Sequence, residues 1–160
     1  MRERMVSVAD WAVDQGDAVL VTLGLGSCVA VVLYDPETTV GGLAHLLLPS
    51  PSLSQDRTKP AKFPETGVPF LVERMRQAGA APRRLRARLV GGASMFASLA
   101  STSVASVGER NLSATRDALD RAGIPVVGED TGKDYGRSVY AFLDSGRVES
   151  RSYAHGVRVL

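Results

Sequence analysis

The amino-acid sequence predicts an α/β fold of the α+β type: a single-domain layered sandwich, with helices packed on a mixed, mostly antiparallel sheet. Three observations predict it. Short apolar runs rich in valine and leucine recur between clusters of turn residues. Several of these runs follow one another with no helical crossover between them. Only two stretches carry the three-and-four spacing of an amphipathic helix.

Met5 to Val13 opens the chain, with Val6 and Val8 alternating with Ser7 and Ala9, the pattern of an edge strand. Asp14-Gln15-Gly16-Asp17 reads as a turn. Val19 to Leu23 is strand-like and is broken by Gly24 and Gly26. Cys28 to Tyr34 is apolar on both alternating faces, which predicts a central strand covered on both sides. Asp35 to Thr38 turns the chain, and Val40 to Leu48 returns antiparallel. Gly41-Gly42 allows a bulge or a close backbone approach there.

Pro49 to Pro64 is a polar loop rich in proline and serine. Its length suits a functional or mobile segment, and it starts four residues after His45. Glu65 to Ala78 is the first helix, with Val68, Leu71, Val72 and Met75 on one face and Gly79 at its end. Pro69 is expected to fall within its first turn. Leu85 to Val90 is a further strand. Ser94 to Gly108 is serine-rich and shows no period. Asn111 to Ala122 is the second helix, with Leu112, Thr115, Ala118 and Leu119 on a face and Asn111 as candidate cap. Ile124 to Gly128 is a short strand, followed by a polar turn at Asp130 to Asp134. Ser138 to Leu143 and Val148 to Tyr153 flank Asp144-Ser145-Gly146-Arg147 as a hairpin. The tail ends apolar at Val157, Val159 and Leu160. In all, about seven or eight strands accompany the two helices.

The 160 residues suit one domain, and no repeat or linker divides them. With 44% hydrophobic and 22% charged residues, the composition is that of a globular protein with its own core. No continuous apolar run is long enough to span a bilayer, and direct membrane insertion is not expected. The start, MRERMVSVADWAVDQGD, does not read as a secretory signal. Arg83-Arg84-x-Arg86-x-Arg88 has two readings, a nucleic-acid patch or the solvated start of a strand, and with a net charge of only +2 the second is preferred. One cysteine and two histidines supply no structural zinc cluster, and a lone cysteine forms no internal disulfide. That cysteine usage suits a reducing cytoplasm.

The chemistry concentrates between Val19 and Pro49. Cys28 follows the loop Gly24-Leu25-Gly26-Ser27, and His45 sits towards the far end of the returning strand. Antiparallel pairing about a tip near residue 37 brings the two together. A thiol beside an imidazole makes a nucleophile and its base. Backbone N–H groups around Gly26 and Ser27 are candidates for an oxyanion or substrate loop. Thr22, the only hydroxyl in Val19 to Leu23, is a candidate to orient His45. The blander readings are a cysteine packed as a small hydrophobe and a threonine as an ordinary strand residue. His155 reads as a surface residue. Gly24-x-Gly26-Ser27 lacks a nucleotide-binding continuation, and Gly91-Gly92-Ala93-Ser94 lacks the lysine of a phosphate loop. No cofactor and no metal are implied.

A set of motifs extends over nearly the whole chain: Thr22-Leu23-Gly24-Leu25-Gly26-Ser27-Cys28-Val29, Gly42-Leu43-Ala44-His45 with Leu48-Pro49, Lys59-Pro60-x-Lys62-Phe63, Gly91-Gly92-Ala93-Ser94-Met95-Phe96, Gly108-Glu109-Arg110-Asn111 and Glu129-Asp130-Thr131-Gly132. In content and order they resemble the CheD family, the chemoreceptor glutamine deamidases of bacterial and archaeal chemotaxis. The resemblance implies one catalytic domain over residues 1–160, with Cys28, His45 and Thr22 as the catalytic residues. It implies hydrolysis of receptor glutamines to glutamate by a protein-glutamine glutaminase, and a site related to that of toxins that deamidate host glutamines. The implied partners are the cytoplasmic helices of methyl-accepting chemotaxis receptors and the CheC phosphatase, at chemoreceptor arrays. Lys59, Lys62 and Phe63 become candidate substrate or partner contacts. Phe63 is a departure, since the family usually carries tyrosine there, and the tail is shorter than in some members. Two rival readings are a non-enzymatic adaptor for a phosphatase or receptor helix, and peptidase or transglutaminase-like chemistry through the same thioester. The enzyme reading predicts a reactive thiol of low pKa.

Overall fold

A computed structural model of the chain describes residues 1–95 and 106–160. Phe96 and most of the serine-rich stretch lie outside them. Among the described residues there are ten strands and two α-helices. The strands are β1 (Arg2–Met5), β2 (Trp11–Gln15), β3 (Ala18–Leu25), β4 (Val29–Tyr34), β5 (Val40–Leu46), β6 (Arg86–Gly91), β7 (Val126–Thr131), β8 (Arg137–Phe142), β9 (Arg147–Ser152) and β10 (Gly156–Val159). The helices are α1 (Pro64–Gln77) and α2 (Val107–Ala122).

The strands form two five-stranded sheets, ordered β1-β3-β8-β9-β10 and β2-β5-β4-β6-β7. Only the β1–β3 and β6–β7 pairs are parallel; the others are antiparallel. The expected sandwich therefore forms, with its strands divided between two sheets. Both helices cover the second sheet on its outer side. Val68, Leu71 and Met75 of α1 and Ala118 and Leu119 of α2 meet Val29, Val31, Leu33, Ala44 and Leu46. The other face of that sheet packs on the first sheet through Ala30, Val32, Leu43, Leu20, Val139 and Ala141. β4 lies between both cores and is buried along its whole length, as its two apolar faces predict.

Local differences from the sequence reading have physical causes. The opening stretch is two strands with a turn at Val6 to Asp10 between them. Asp14 and Gln15 continue β2, where Asp14 takes the Arg2 guanidinium at 3.0 Å. β3 runs past Thr22 to Leu25, absorbing Gly24 as an irregularity in its pairing with β8. The register through Gly41 and Gly42 is unbroken, so there is no bulge there. Their bare faces instead admit Leu143 from one side and Leu71 and Met75 from the other. Pro64 holds the first helical position of α1, which places Pro69 a turn further in. β7 continues through Asp130 and Thr131, because Asp130 is anchored inside rather than solvated.

Candidate active site

β3 and β5 face each other across the space between the sheets. Alternation along β3 sends Ala18, Leu20 and Thr22 inward, and alternation along β5 sends Leu43 and His45 inward. Thr22 and His45 are both fully buried. The Thr22 hydroxyl oxygen stands 2.7 Å from the Val6 carbonyl oxygen and 2.6 Å from His45 Nδ1. A carbonyl only accepts, so the one hydroxyl proton goes to Val6. Nδ1 must then donate to Thr22. In a neutral ring this leaves Nε2 with a lone pair and no proton. Nε2 is buried and has no hydrogen-bond partner among the described residues. Burial lowers the His45 pKa to about 4, so at neutral pH the ring is uncharged.

Cys28 stands just ahead of β4 on the same inward face. Its carbonyl accepts from Gly92 N–H at 2.8 Å, which extends the β4–β6 ladder by one step. Within the β4–β5 pair, His45 lies opposite Ala30, two residues along from Cys28. The thiol and the ring are thus diagonal neighbours on one face, a relation within reach of side chains of this length. Cys28 is 9% exposed. Burial raises its pKa, and its own backbone N–H offsets this only in part. These surroundings push against the expected low-pKa thiol and keep the proton on sulfur at neutral pH. No charged partner contributes to its shift, since the neighbouring imidazole is itself neutral.

The loop before Cys28 is held by its carbonyls. Gly26 accepts from Ala93 N–H at 2.9 Å, and Ser27 accepts from the Asn111 amide at 2.9 Å. Among the described residues no acceptor meets the N–H groups of Gly26 or Ser27. They remain available to a developing oxyanion.

The remaining candidates sit elsewhere. Lys62 donates to Ser54 Oγ at 2.8 Å, and its carbonyl takes the N–H groups of Leu47 and Leu48. It therefore braces the chain leaving β5. Phe63 is 1% exposed and caps α1 from inside. Its ring has no surface to offer a partner. Lys59 is exposed. His155 is exposed too, with its ring 4.3 Å from that of Tyr135. The arginine cluster is not a stripe: Arg84 binds Asp35 at 2.8 Å and Glu37 at 3.1 Å, while Arg88 donates to the Leu160 carbonyl. A groove of about 570 Å³ runs along Gly24, Tyr135, Tyr140, Arg151 and Tyr153, and neither Cys28 nor His45 lines it. Among the described residues no cluster of His, Cys, Asp and Glu could hold a metal ion, and no helix is long and apolar enough to cross a membrane.

Two functional groups escaped the sequence reading. The Val6 carbonyl fixes the Thr22 hydroxyl, and no side-chain pattern announces a backbone acceptor. Asn111 is not the cap of α2. Ser106 is, with its Oγ accepting from Glu109 N–H at 3.2 Å. The Ser-x-x-Glu spacing at 106–109 was the available signal.

Comparison with known proteins gives the family. The family model for CheD, described as chemotactic sensory transduction, matches residues 47–152. Full-length relatives extend the match across Thr22, Cys28 and His45. A protein of Caldanaerobacter subterraneus subsp. tengcongensis is 43% identical over 155 residues, covering 97% of this chain and 96% of its own. One of Pyrococcus abyssi is 42% identical, covering 97% and 94%. Both are named probable chemoreceptor glutamine deamidase CheD.

The chain belongs to the CheD family.

In fold, this CheD chain also resembles the crystal structure of the hypothetical protein YfiH of Bacillus licheniformis. The TM-score is 0.51 at 16% identity, over 78% of this chain and about half (51%) of that one. The likeness is one of architecture alone.

Proposed function

We propose that this chain is a protein-glutamine glutaminase, one catalytic domain over residues 1–160 that hydrolyses glutamine side chains of chemoreceptor cytoplasmic helices to glutamate. The names of its full-length relatives supply the substrate. The observation that carries the mechanism is the chain Val6 carbonyl, Thr22 hydroxyl, His45 Nδ1, which leaves Nε2 as an unprotonated base on the sheet face that Cys28 shares.

The reaction runs in two halves. His45 Nε2 takes the thiol proton as Cys28 sulfur bonds to the carboxamide carbon, and the oxyanion is met by the N–H groups of Gly26 and Ser27. The imidazolium returns that proton to the amide nitrogen. The C–N bond breaks, ammonia leaves and a thioester remains. Water then adds to the thioester, giving its proton to Nε2. The C–S bond breaks, the proton returns to sulfur, and a glutamate carboxyl is released. Because thiol and imidazole are both neutral at rest, this is general-base activation at the moment of attack rather than a standing ion pair. Thr22 keeps the ring in the tautomer that the first step needs.

The test is mass spectrometry of receptor cytoplasmic domains after incubation with the protein. Exchange of amide NH2 for OH at particular glutamines is expected, and Cys28→Ala should abolish it while keeping the wild-type circular dichroism. Equal product from Cys28→Ala would sink the mechanism. Absence of product with the wild type on every receptor supplied would favour the adaptor reading.

A further inference from the structure

The β4–β5 ladder ends at Val29 and Leu46. One step further, Cys28 would face Leu47, and there the two strands are joined through a third element. Asn111, in the second turn of α2 and fully buried, donates its Nδ2 to the Ser27 carbonyl at 2.9 Å and to the Leu47 carbonyl at 3.1 Å. Both oxygens only accept, so the orientation of the amide is fixed and both its protons are spent. One carbonyl adjoins the nucleophile. The other lies two residues from the base.

The start of α2 is itself held against the nucleophile loop. A side chain at Gly108 would overlap the carbonyls of Gly92 and Ala93. Those two residues donate their N–H groups to Cys28 and Gly26, at 2.8 and 2.9 Å. Ser94 and Ser106 hydroxyls, 2.6 Å apart, close the same junction. The helix is therefore seated on residues that also hold Cys28.

We propose that Asn111 is a positioning residue for the reaction, a side-chain rung that sets the separation between the Cys28 loop and the His45 strand. This rests on Cys28 and His45 being nucleophile and base. Misplacement by a fraction of the reach between reacting atoms costs turnover far more than it costs binding.

Three variants test it, assayed with a receptor cytoplasmic domain where circular dichroism shows each to be folded. Asn111→Ala is expected to lower kcat about tenfold or more, with KM within about twofold. Leu119→Ala, in the same helix but facing the helix–sheet core, is the stability control. It should lower the urea midpoint at least as far and leave kcat within about twofold. Asn111→Asp separates positioning from packing. Its protonated carboxyl has one proton to give and its carboxylate none, so its kcat relative to wild type should climb as pH falls.

Wild-type kcat in Asn111→Ala would overturn the proposal. So would an equal kcat loss in Leu119→Ala, or a flat Asn111→Asp ratio across pH. Should Asn111→Ala not fold, the Asn111→Asp ratio decides alone. Cys28→Ala is run beside them. Turnover by Cys28→Ala would overturn the reading of the site itself, whereas an inert Cys28→Ala with a fully active Asn111→Ala would overturn only the role of Asn111.

Discussion

Two of the polar clusters buried in this protein are built in opposite ways. Around His45 everything is neutral: one hydroxyl, one carbonyl and one ring, with a ring nitrogen left over. Around Asp130 charge is crowded. Its carboxylate takes Ser150 at 2.8 Å, Arg158 at 3.0 Å and Arg137 at 3.2 Å. Burial alone would raise the Asp130 pKa, but Ser150 and the two arginines outweigh it and hold the carboxyl below its usual range. An over-satisfied acid cannot exchange a proton near neutrality, so it serves only to fasten β7, β8, β9 and β10 together. An under-satisfied, uncharged imidazole is ready to accept one. Burial by itself identifies neither role; the partners of the titrating group separate them.

The sharpest way to break this contrast is His45→Ala. Turnover should fall by about a hundredfold to ten-thousandfold, the usual share of a general base, while receptor capture in a pull-down persists. Thr22→Val comes next. It keeps the shape but removes the hydroxyl that fixes the tautomer, so kcat should drop about tenfold to a hundredfold, with Thr22→Ser recovering most of it. If Thr22→Val were fully active, the ring would need no orienting partner.

In the other cluster the expected loss is of stability. Arg137→Ala leaves Asp130 short of a buried partner and should cost about 3 kcal/mol by urea denaturation. Its kcat, measured well below the midpoint, should stay within about threefold of wild type. A kcat collapse in folded Arg137→Ala would erase the division between the clusters.

The smallest effect is in pH. His45 titrates at about 4 in the folded protein against 6.5 when unperturbed, so between those values the unfolded chain binds the extra proton. Stability from this group is complete above 6.5 and is lost as pH falls towards 4. Asp130, lowered by its partners, gives stability that is present above the ordinary carboxylate range and lost only at lower pH. Denaturation midpoints followed from neutral to acid should therefore fall in two stages, and His45→Ala should remove the first. The acid limb of kcat/KM should likewise lie near 4, not near 6.5.

Much of this was legible in the sequence. The doubly apolar run from Val29 to Tyr34 announced a strand buried on both sides, and the stripe Val68, Leu71, Met75 announced α1. The symmetry of positions 28 and 45 about a turn placed the thiol and the ring together, although the register sets His45 opposite Ala30 rather than Cys28. The division into two sheets was not legible, because β3 and β4 adjoin in sequence yet belong to different sheets, and pairing between distant strands leaves no local pattern. Nor was the resting state of the thiol. A pKa depends on the whole surroundings of the sulfur, and those are dry and uncharged.

The edge strand β1 has every residue exposed, the profile of a segment that proteases trim first. Val6, immediately after it, donates its N–H to Val21 at 2.7 Å and gives its carbonyl to Thr22. A preparation clipped in the exposed turn at Ser7 and Val8 would retain β2, β3, Cys28, His45 and both helices, and would lose the acceptor that aims the Thr22 proton. The hydroxyl could then turn its proton towards the ring, and the lone pair would move from Nε2 to Nδ1. Inactivity in such a sample would say nothing against Cys28 or His45, so the intact mass of the amino-terminal segment is the quality control on which every activity assay of this protein depends.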